Sequence, residues 1–393
     1  MRIGIDGREL LGQTTGVGRY LVNLCREWTR MPAAAEHEML VYAPADASDA
    51  LGPAEDEERA SAGARMAIVR VPGSGGAWWE QTALARRAAT DRVDVFFGPA
   101  YSVPLALAAP RAVTLHDISF ETHPEWFGPR EGLRRRWLAR QSARAARAIV
   151  TVSECSRREI VDGYAVDPSR VHVVSNGVAT PATPPAETES TGASDDDAGV
   201  GPWHPADPAD GPLVLYAGAR FTRRNLPLLV AAFARVAKRV PAAHLTIVGP
   251  DRTYPPEDLD WSADAAGVAD RVTCLDYVDD RALATLYRRA TLFAWLSEYE
   301  GFGLTPLEAL AAGVPAVVGD IPVAREVYGD AVRYVPIGDP DAIAAVMVDL
   351  LTSPSARAAL LARREATLAR YTWRRAAAAT LGVLEGVAAE RAR

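Results

Sequence analysis

The most specific local pattern in this chain is Ser297-Glu-Tyr-Glu-Gly-Phe-Gly-Leu-Thr-Pro-Leu-Glu-Ala-Leu-Ala-Ala-Gly-Val-Pro315. An apolar run at 292–296 precedes it and predicts a buried strand. Glu300 then lies beside two glycines, and Thr305 has the place of a helix N-cap with Pro306 at the first helical position. Strand, glycine turn and helix follow one another as in an open α/β sheet, and the N-terminus of such a helix suits a phosphate group.

The stretch contains two carboxylates with different local explanations. Glu308 comes three residues after Thr305, so on spacing alone the stronger interpretation is a capping-box partner that reaches back to the cap. Glu300 lies between a buried strand and a glycine turn, where a carboxylate has little structural purpose. Loops at the carboxyl ends of parallel strands are where open α/β sheets bind ligands, which favours a functional Glu300.

Spaced eight residues apart, Glu300 and Glu308 resemble the Glu-x7-Glu motif of the family 4 retaining glycosyltransferases. The wording Glu-Gly-Phe-Gly-Leu-x-x-Leu-Glu-Ala is also similar to that of the family. The resemblance implies an α/β fold of GT-B architecture, with two Rossmann-like domains whose parallel sheets face each other across a cleft. It implies that Glu300 positions the donor sugar and that Glu308 holds the ribose hydroxyls. Four further residues would line the donor site: Gly301, Phe302, Gly303 and Leu304.

Length and charge narrow the class of protein. A chain of 393 residues exceeds one comfortable hydrophobic core, so two domains are expected. A net charge of −7 argues against general affinity for nucleic acid. The three cysteines are isolated and lack metal-ligand spacing, and we expect buried thiols in a reducing compartment. With early charges at Asp6 and Arg8 and no long apolar run, we expect a cytoplasmic protein, peripheral to the inner face of the plasma membrane at most.

A second glycine-rich loop follows the first predicted strand, 2–6. It contains Gly16 and Gly18 and leads into an amphipathic helix. A dinucleotide-binding oxidoreductase would need a third glycine where Leu21 stands, so that function is not expected. Thr-Gly-Val-Gly-Arg-Tyr resembles the family's loop that closes over the donor phosphates, which implies close backbone approach at Gly16 and Gly18.

Short apolar runs separated by helical stretches predict parallel sheets in both halves. Besides 2–6 they are 39–42, 67–71, 93–97, 112–115, 148–152 and 171–174, and then 213–216, 245–249, 272–275, 292–296 and 316–318. His116 and Asp117 come directly after the strand at 112–115. A lone histidine is usually structural, but this place at the end of a strand faces a crevice. The pair resembles the family's His-Asp, which implies that His116 lies against the donor sugar.

A basic segment, Arg130 to Arg147, contains seven arginines and one acid, Glu131. It predicts a helix with a partial apolar face at Leu133, Trp137 and nearby residues. The favoured interpretation is a solvated surface. The alternative is peripheral docking to an anionic membrane, where each basic residue adds about 1 kcal/mol.

The composition changes between 179 and 211, where proline, threonine and aspartate replace the apolar residues. We expect a flexible linker there. Beyond it, Tyr216-Ala-Gly-Ala-Arg-Phe-Thr-Arg-Arg-Asn225 resembles the family's phosphate-gripping loop, with Arg224 in the usual place of lysine. Because Lys238 is the chain's only lysine, we take Arg224 as a substitute in role, with Arg220 or Arg223 as a further contact. Without the resemblance, a surface arginine cluster would be the better interpretation.

Together these features predict four segments: an N-terminal acceptor domain (1–178), the linker (179–211), a nucleotide-sugar-binding domain (212–372) and a C-terminal helix that crosses back to the first domain (373–393). The expected activity is retaining, metal-independent transfer of a sugar to a glycan or lipid-linked acceptor in surface polysaccharide synthesis. The residues of the motif are similar to those of bacterial mannosyltransferases, which favours GDP-mannose over UDP- or dTDP-sugars. No cofactor and no metal site are expected. The alternatives are a GT-B sugar-nucleotide epimerase and a non-catalytic sugar-nucleotide binding protein.

Overall fold

The computed structural model describes residues 1–11, 16–45, 47, 63–178 and 211–389. The chain divides into two compact units. The first comprises Met1–Val178, Glu300–Leu304 and Arg370–Arg393, and the second comprises Ala179–Tyr299 and Thr305–Ala369. The predicted linker, except Gly211, lies outside the described residues.

The first unit is built on a seven-stranded parallel sheet with the order β3-β2-β1-β4-β5-β6-β7. Its strands are β1 Arg2–Asp6, β2 Glu38–Ala43, β3 Arg65–Arg70, β4 Val95–Gly98, β5 Arg111–Thr114, β6 Ala148–Thr151 and β7 Val171–Val173. Its helices are α1 Gly16–Arg30, α2 (77–90, with a π-helical part at Glu80–Leu84), α3 Ser119–Thr122, α4 Pro129–Ala145, α5 Glu154–Tyr164 and, near the C-terminus, α14 Trp373–Ala389.

Both faces of this sheet are covered, as an all-parallel sheet requires. One face packs against α1 and α14, and the indole Nε1 of Trp28 donates to the Ala377 carbonyl at 2.9 Å. The other face packs against α2, α4 and α5, around residues such as Phe96 and Ile149. The C-terminal helix thus belongs to the core of the first unit.

The second unit has a six-stranded parallel sheet with the order β10-β9-β8-β11-β12-β13. Its strands are β8 Leu213–Ala217, β9 His244–Val248, β10 Val272–Leu275, β11 Ala290–Trp295, β12 Ala316–Gly319 and β13 Arg333–Val335. Its helices are α6 Leu226–Arg239, α7 Leu259–Ala265, α8 Asp280–Arg289, α9 Leu304–Ala311, α10 Pro322–Tyr328, α11 Pro340–Thr352, α12 Pro354–Leu361 and α13 Arg364–Leu368; α9 begins on the last residue assigned to the first unit.

Each sheet reverses its strand order once, between β1 and β4 in the first unit and between β8 and β11 in the second. Ligands of open α/β sheets bind beyond the carboxyl ends of the strands at such a switch point. The segments singled out in the sequence occupy these places. His116 follows β5, next to β4, while the arginine loop and the Glu300 turn follow β8 and β11.

The predicted GT-B class, two α/β domains with parallel sheets, is confirmed. Most predicted strands occur within two residues of their expected bounds, but β13 was not predicted. The prediction of three buried thiols was wrong for two of them, since only Cys25 is buried and Cys155 and Cys274 are half-buried. Within the described residues, no single helix is long and apolar enough to cross a membrane.

Candidate active site

The turn after β11 leads into α9 two residues earlier than the sequence predicts. The helix begins at Leu304, after Gly303 with a φ of +82°. Thr305 therefore lies inside the first turn, and its buried Oγ1 has no hydrogen-bond partner among the described residues. The prediction of Thr305 as N-cap and Pro306 as first helical residue was wrong, because the left-handed glycine lets the chain enter the helix sooner.

The turn that bears Glu300 is packed against the main chain after β5. A Cβ atom on Gly301 would lie 2.1 Å from the carbonyl oxygen of His116, so only glycine fits there. The Gly301 carbonyl accepts a hydrogen bond from the hydroxyl of Ser153 at 2.7 Å, and the Ser156 hydroxyl lies 3.3 Å away. The structure thereby places the Glu300 turn beside His116, the two candidate catalytic positions. The serines were not among the predicted site residues.

The His116 ring is held in one orientation. Its Nε2 lies 3.0 Å from the Pro99 carbonyl oxygen, which can only accept, so Nε2 carries the proton and donates. The rings of Tyr20 and Tyr101 meet it edge-on, with centroids 4.9 and 5.6 Å away. Burial lowers the pKa of His116 below its usual 6.5, against the opposing effects of the Pro99 carbonyl and the Asp117 charge. A neutral ring protonated on Nε2 leaves Nδ1 as an acceptor for a hydroxyl group.

Arg224 is the most enclosed residue of the arginine loop after β8, with 9% of its surface exposed. Its guanidinium carbon lies 4.2 Å from the centroid of the Trp295 ring, and Nη1 donates to the Ser297 hydroxyl at 3.0 Å. Both partners belong to the end of β11 or the residues after it. The aromatic ring and the hydroxyl therefore fix the guanidinium at the switch point of the second sheet.

Arg220 and Arg223 flank this position. Arg220 pairs with Asp276 at 2.5 Å, and the Arg223 guanidinium carbon lies 4.4 Å from the Phe221 ring centroid. The Nε atoms of Arg220 and Arg223 are buried and have no hydrogen-bond partner among the described residues. Buried N–H donors without acceptors are costly, and a bound anion would supply the missing acceptors.

Tyr216 shows that the three arginines converge. Burial raises the pKa of its phenol to about 12, and the charges of Arg224, Arg223 and Arg220 oppose that shift. The charge of Glu257 raises the pKa of the same phenol, opposite to the effect of the arginines. Burial, followed by the charge of Asp251, raises the pKa of Glu257 to about 7, and its Oε2 is buried without a hydrogen-bond partner among the described residues. No sequence pattern indicated Glu257, which comes from the loop after β9.

The remaining predicted residues differ in their surroundings. Glu308 Oε2 lies 3.4 Å from the hydroxyl of Tyr287. Phe302 is buried and packs edge-on against Tyr371 at 5.2 Å between centroids, so its side chain is part of the core. Gly16 and Gly18 lie in the first turn of α1 instead of the predicted loop, and a Cβ on Gly16 would meet nothing within 4 Å.

In the described part of the chain, no group of three or more His, Cys, Asp or Glu side chains could hold a metal ion.

Two family patterns match the chain. One, described as "Glycosyl transferases group 1", matches residues 203–365, and the other, "Glycosyltransferase Family 4", matches residues 14–181. The O-antigen chain mannosyltransferase B of Escherichia coli is 30% identical over 286 residues, which cover 71% of each chain. The chain belongs to the group 1, family 4 glycosyltransferases.

Other relatives of this glycosyltransferase match a smaller share of their own length. The D-inositol 3-phosphate glycosyltransferase of Xylanimonas cellulosilytica is 34% identical over 62% of this chain and 58% of its own. The phosphatidyl-myo-inositol mannosyltransferase of Mycolicibacterium smegmatis is 34% identical over 46% of each.

Solved structures share the fold of this glycosyltransferase. HepE of Anabaena, in complex with UDP and glucose, superposes with a TM-score of 0.67 at 16% identity over 100% of this chain and 99% of its own. WaaG, a glycosyltransferase involved in lipopolysaccharide biosynthesis, gives a TM-score of 0.70 at 15% identity over 98% of this chain and 100% of its own.

Proposed function

We propose that this glycosyltransferase moves a hexose, with retention of configuration and without a metal ion, from a nucleoside-diphosphate donor to a glycan or lipid-linked acceptor in surface polysaccharide synthesis. The observation that carries the proposal is the arginine cluster at the switch point of the second sheet. Three guanidiniums converge there, and two of them have buried nitrogen atoms without acceptors among the described residues. A diphosphate is a ligand whose oxygens match such donors.

The leaving diphosphate needs fixed positive groups because charge develops on it as the sugar departs. Arg224, held under Trp295, would supply one, and Arg220 would supply another by leaving Asp276. The N–H groups at the start of α9 and the backbone at Gly16 and Gly18 would contribute dipoles. Glu308 would accept hydrogen bonds from the ribose hydroxyls.

Glu300 and His116 would act on the sugar itself. Glu300 would position the sugar through its hydroxyls and stabilise positive charge at the anomeric carbon. The neutral His116 ring would accept from a sugar hydroxyl through Nδ1. The bond from the anomeric carbon to the phosphate oxygen breaks, and the acceptor oxygen bonds to the same face. The leaving phosphate takes the acceptor proton, so no protein nucleophile is needed.

The donor proposed is GDP-mannose. Two of the relatives described above are named as mannosyltransferases, which favours mannose, whereas HepE was crystallised with UDP and glucose. UDP- and dTDP-sugars are therefore the next candidates. The acceptor is proposed as a class, since the relatives' names point to O-antigen chains, inositol phosphate and phosphatidylinositol.

Calorimetric titration of the protein with GDP, UDP, dTDP and ADP, with EDTA present, tests the donor site. We expect GDP to bind more tightly than the other three. If none binds, even after Mg²⁺ is added, the roles of Arg224 and Glu308 are wrong. If UDP binds tightest, the site stands and the donor is corrected. NMR of the product formed from GDP-mannose then checks retention of configuration, and release of an epimerised sugar without acceptor would identify an epimerase.

A further inference from the structure

The arginines of helix α4 in the first unit do not form one uniform basic surface. At 100° per residue, six side chains lie within an arc of about 100°. One is Gln141, and the other five are Arg130, Leu133, Arg134, Trp137 and Arg144. The buried residues of the helix, which include Gly132, Ala139 and Ala143, lie on the opposite side. We call this set of five side chains the α4 face.

Two large apolar side chains of the α4 face point into solvent. Leu133 is 63% exposed and Trp137 is 57% exposed, although both belong to residue types that a fold normally buries. They lie four residues apart, so they are neighbours one turn from each other on the helix surface. Together they form an apolar ridge that no described part of the unit covers.

The arginines on either side of this ridge also form no ion pairs with described residues. They are Arg130, Arg134 and Arg144. In contrast, Arg135 pairs with Glu131 at 2.6 Å, and Arg140 pairs with Glu121. The structure thus separates two arginines that pair with acidic side chains from three that flank the ridge. In a protein with a net charge of −7, this is a local reversal of sign.

A second exposed tryptophan shows that exposure alone does not make such a surface. Trp261, on α7 of the second unit, is 68% exposed. Its neighbours on the chain are acidic, since Asp258 caps the helix and Asp260 and Asp264 lie within it. An anionic surface would repel the acidic side chains around Trp261, whereas it would attract the arginines around Trp137.

We propose that the α4 face docks the protein onto a bilayer that contains anionic phospholipids. Trp137 and Leu133 enter the boundary between headgroups and acyl chains, where amphipathic aromatic rings are favoured. Arg130, Arg134 and Arg144 lie against lipid phosphates, and each contributes about fivefold to binding. Docking does not depend on the donor sugar. Its use in presenting the enzyme to a lipid-linked acceptor does rest on the proposed function.

Co-sedimentation of the full chain with vesicles tests the proposal. One set of vesicles is phosphatidylcholine alone, and the other contains roughly 30% phosphatidylglycerol, which gives it a negative surface potential. We expect binding to the anionic vesicles at least about tenfold tighter than to the neutral ones, with a loss in high salt as charges are screened. Equal binding to both vesicles, or no binding to either, would overturn the proposal.

Variants assign the binding to the face. The triple variant R130Q/R134Q/R144Q should bind anionic vesicles about 100-fold more weakly, from three contributions of about fivefold each. The double variant L133S/W137S should lose affinity while its far-UV circular dichroism and nucleotide titration stay unchanged, because both side chains are exposed. The matched control is Trp261→Ser, which should bind as the wild type does. If the control loses as much affinity as L133S/W137S, the α4 face is not the docking surface.

Discussion

The Glu300 turn and the arginine loop use their polar groups in opposite ways. Around Glu300, polar side chains form hydrogen bonds with main-chain carbonyl groups. The Ser153 hydroxyl donates to the Gly301 carbonyl, and the His116 ring donates to the Pro99 carbonyl. In the arginine loop, buried Nε atoms of Arg220 and Arg223 find no acceptor among the described residues. The first region is therefore set before any ligand arrives, and the second has donors that an anion would satisfy. Changes in the first should affect turnover, and changes in the second should affect nucleotide affinity.

The largest expected effect is that of Glu300→Gln. We expect kcat to fall by about 1,000-fold, because a neutral amide cannot stabilise positive charge at the anomeric carbon. The GDP affinity should stay within a few-fold. Turnover and calorimetry measured on the same preparation check this pair of results. Glu298→Gln is the matched control, since Glu298 is exposed two residues earlier and should leave kcat unchanged.

Glu308→Gln should show the reverse pattern. We expect the GDP affinity to fall by roughly 10- to 100-fold, as for loss of a charged hydrogen bond to the ribose. Tyr287→Phe removes the neighbouring hydroxyl at 3.4 Å without touching the carboxylate, and it should change affinity much less. If Glu308→Gln lowers only the melting temperature, then Glu308 is a structural residue and the contrast between the two regions is lost.

The sequence alone predicted the sheets better than the contacts between segments. Buried parallel strands are continuous apolar runs and can be recognised locally, whereas β13 combines an exposed Arg333 with a half-buried Tyr334 and has no such run. The place of Arg224 was predicted, but its burial under Trp295 was not, because 71 residues separate the pair in the chain. Ser153 and Gly301 are 148 residues apart, and no spacing rule connects them.

Ser153→Ala tests whether the Glu300 turn is positioned by that contact. Loss of one neutral hydrogen bond should lower kcat by roughly 3- to 10-fold and leave the GDP affinity unchanged. Ser153 also caps α5 through the Ser156 N–H, so the melting temperature should fall as well. Ser153→Thr keeps the hydroxyl and should restore kcat. If the alanine variant loses stability but keeps full kcat, Ser153 acts only as a cap.

The smallest expected effect is a pH dependence of nucleotide binding that arises from Glu257. Its pKa of about 7 lies above the usual 4.5, so its neutral form is favoured in the folded protein. Ionisation should therefore reduce the free energy of unfolding progressively as the pH rises from 4.5 through 7. The same ionisation adds a negative charge that acts on the Tyr216 phenol, on which the arginine charges also act, so GDP affinity should fall by a few-fold between pH 6 and pH 8 relative to Glu257→Gln.

Comparison with that variant removes the nucleotide's own ionisation, which is common to both proteins. Calorimetric titration at pH 6, 7 and 8 measures the difference. Identical pH profiles for the two proteins would mean that the Glu257 charge does not reach the bound diphosphate. A difference that grows through pH 7 would place the loop after β9 at the edge of the donor site. In that case the affinity of the arginine loop for an anion depends on the charge of Glu257, a carboxyl group that burial keeps partly neutral.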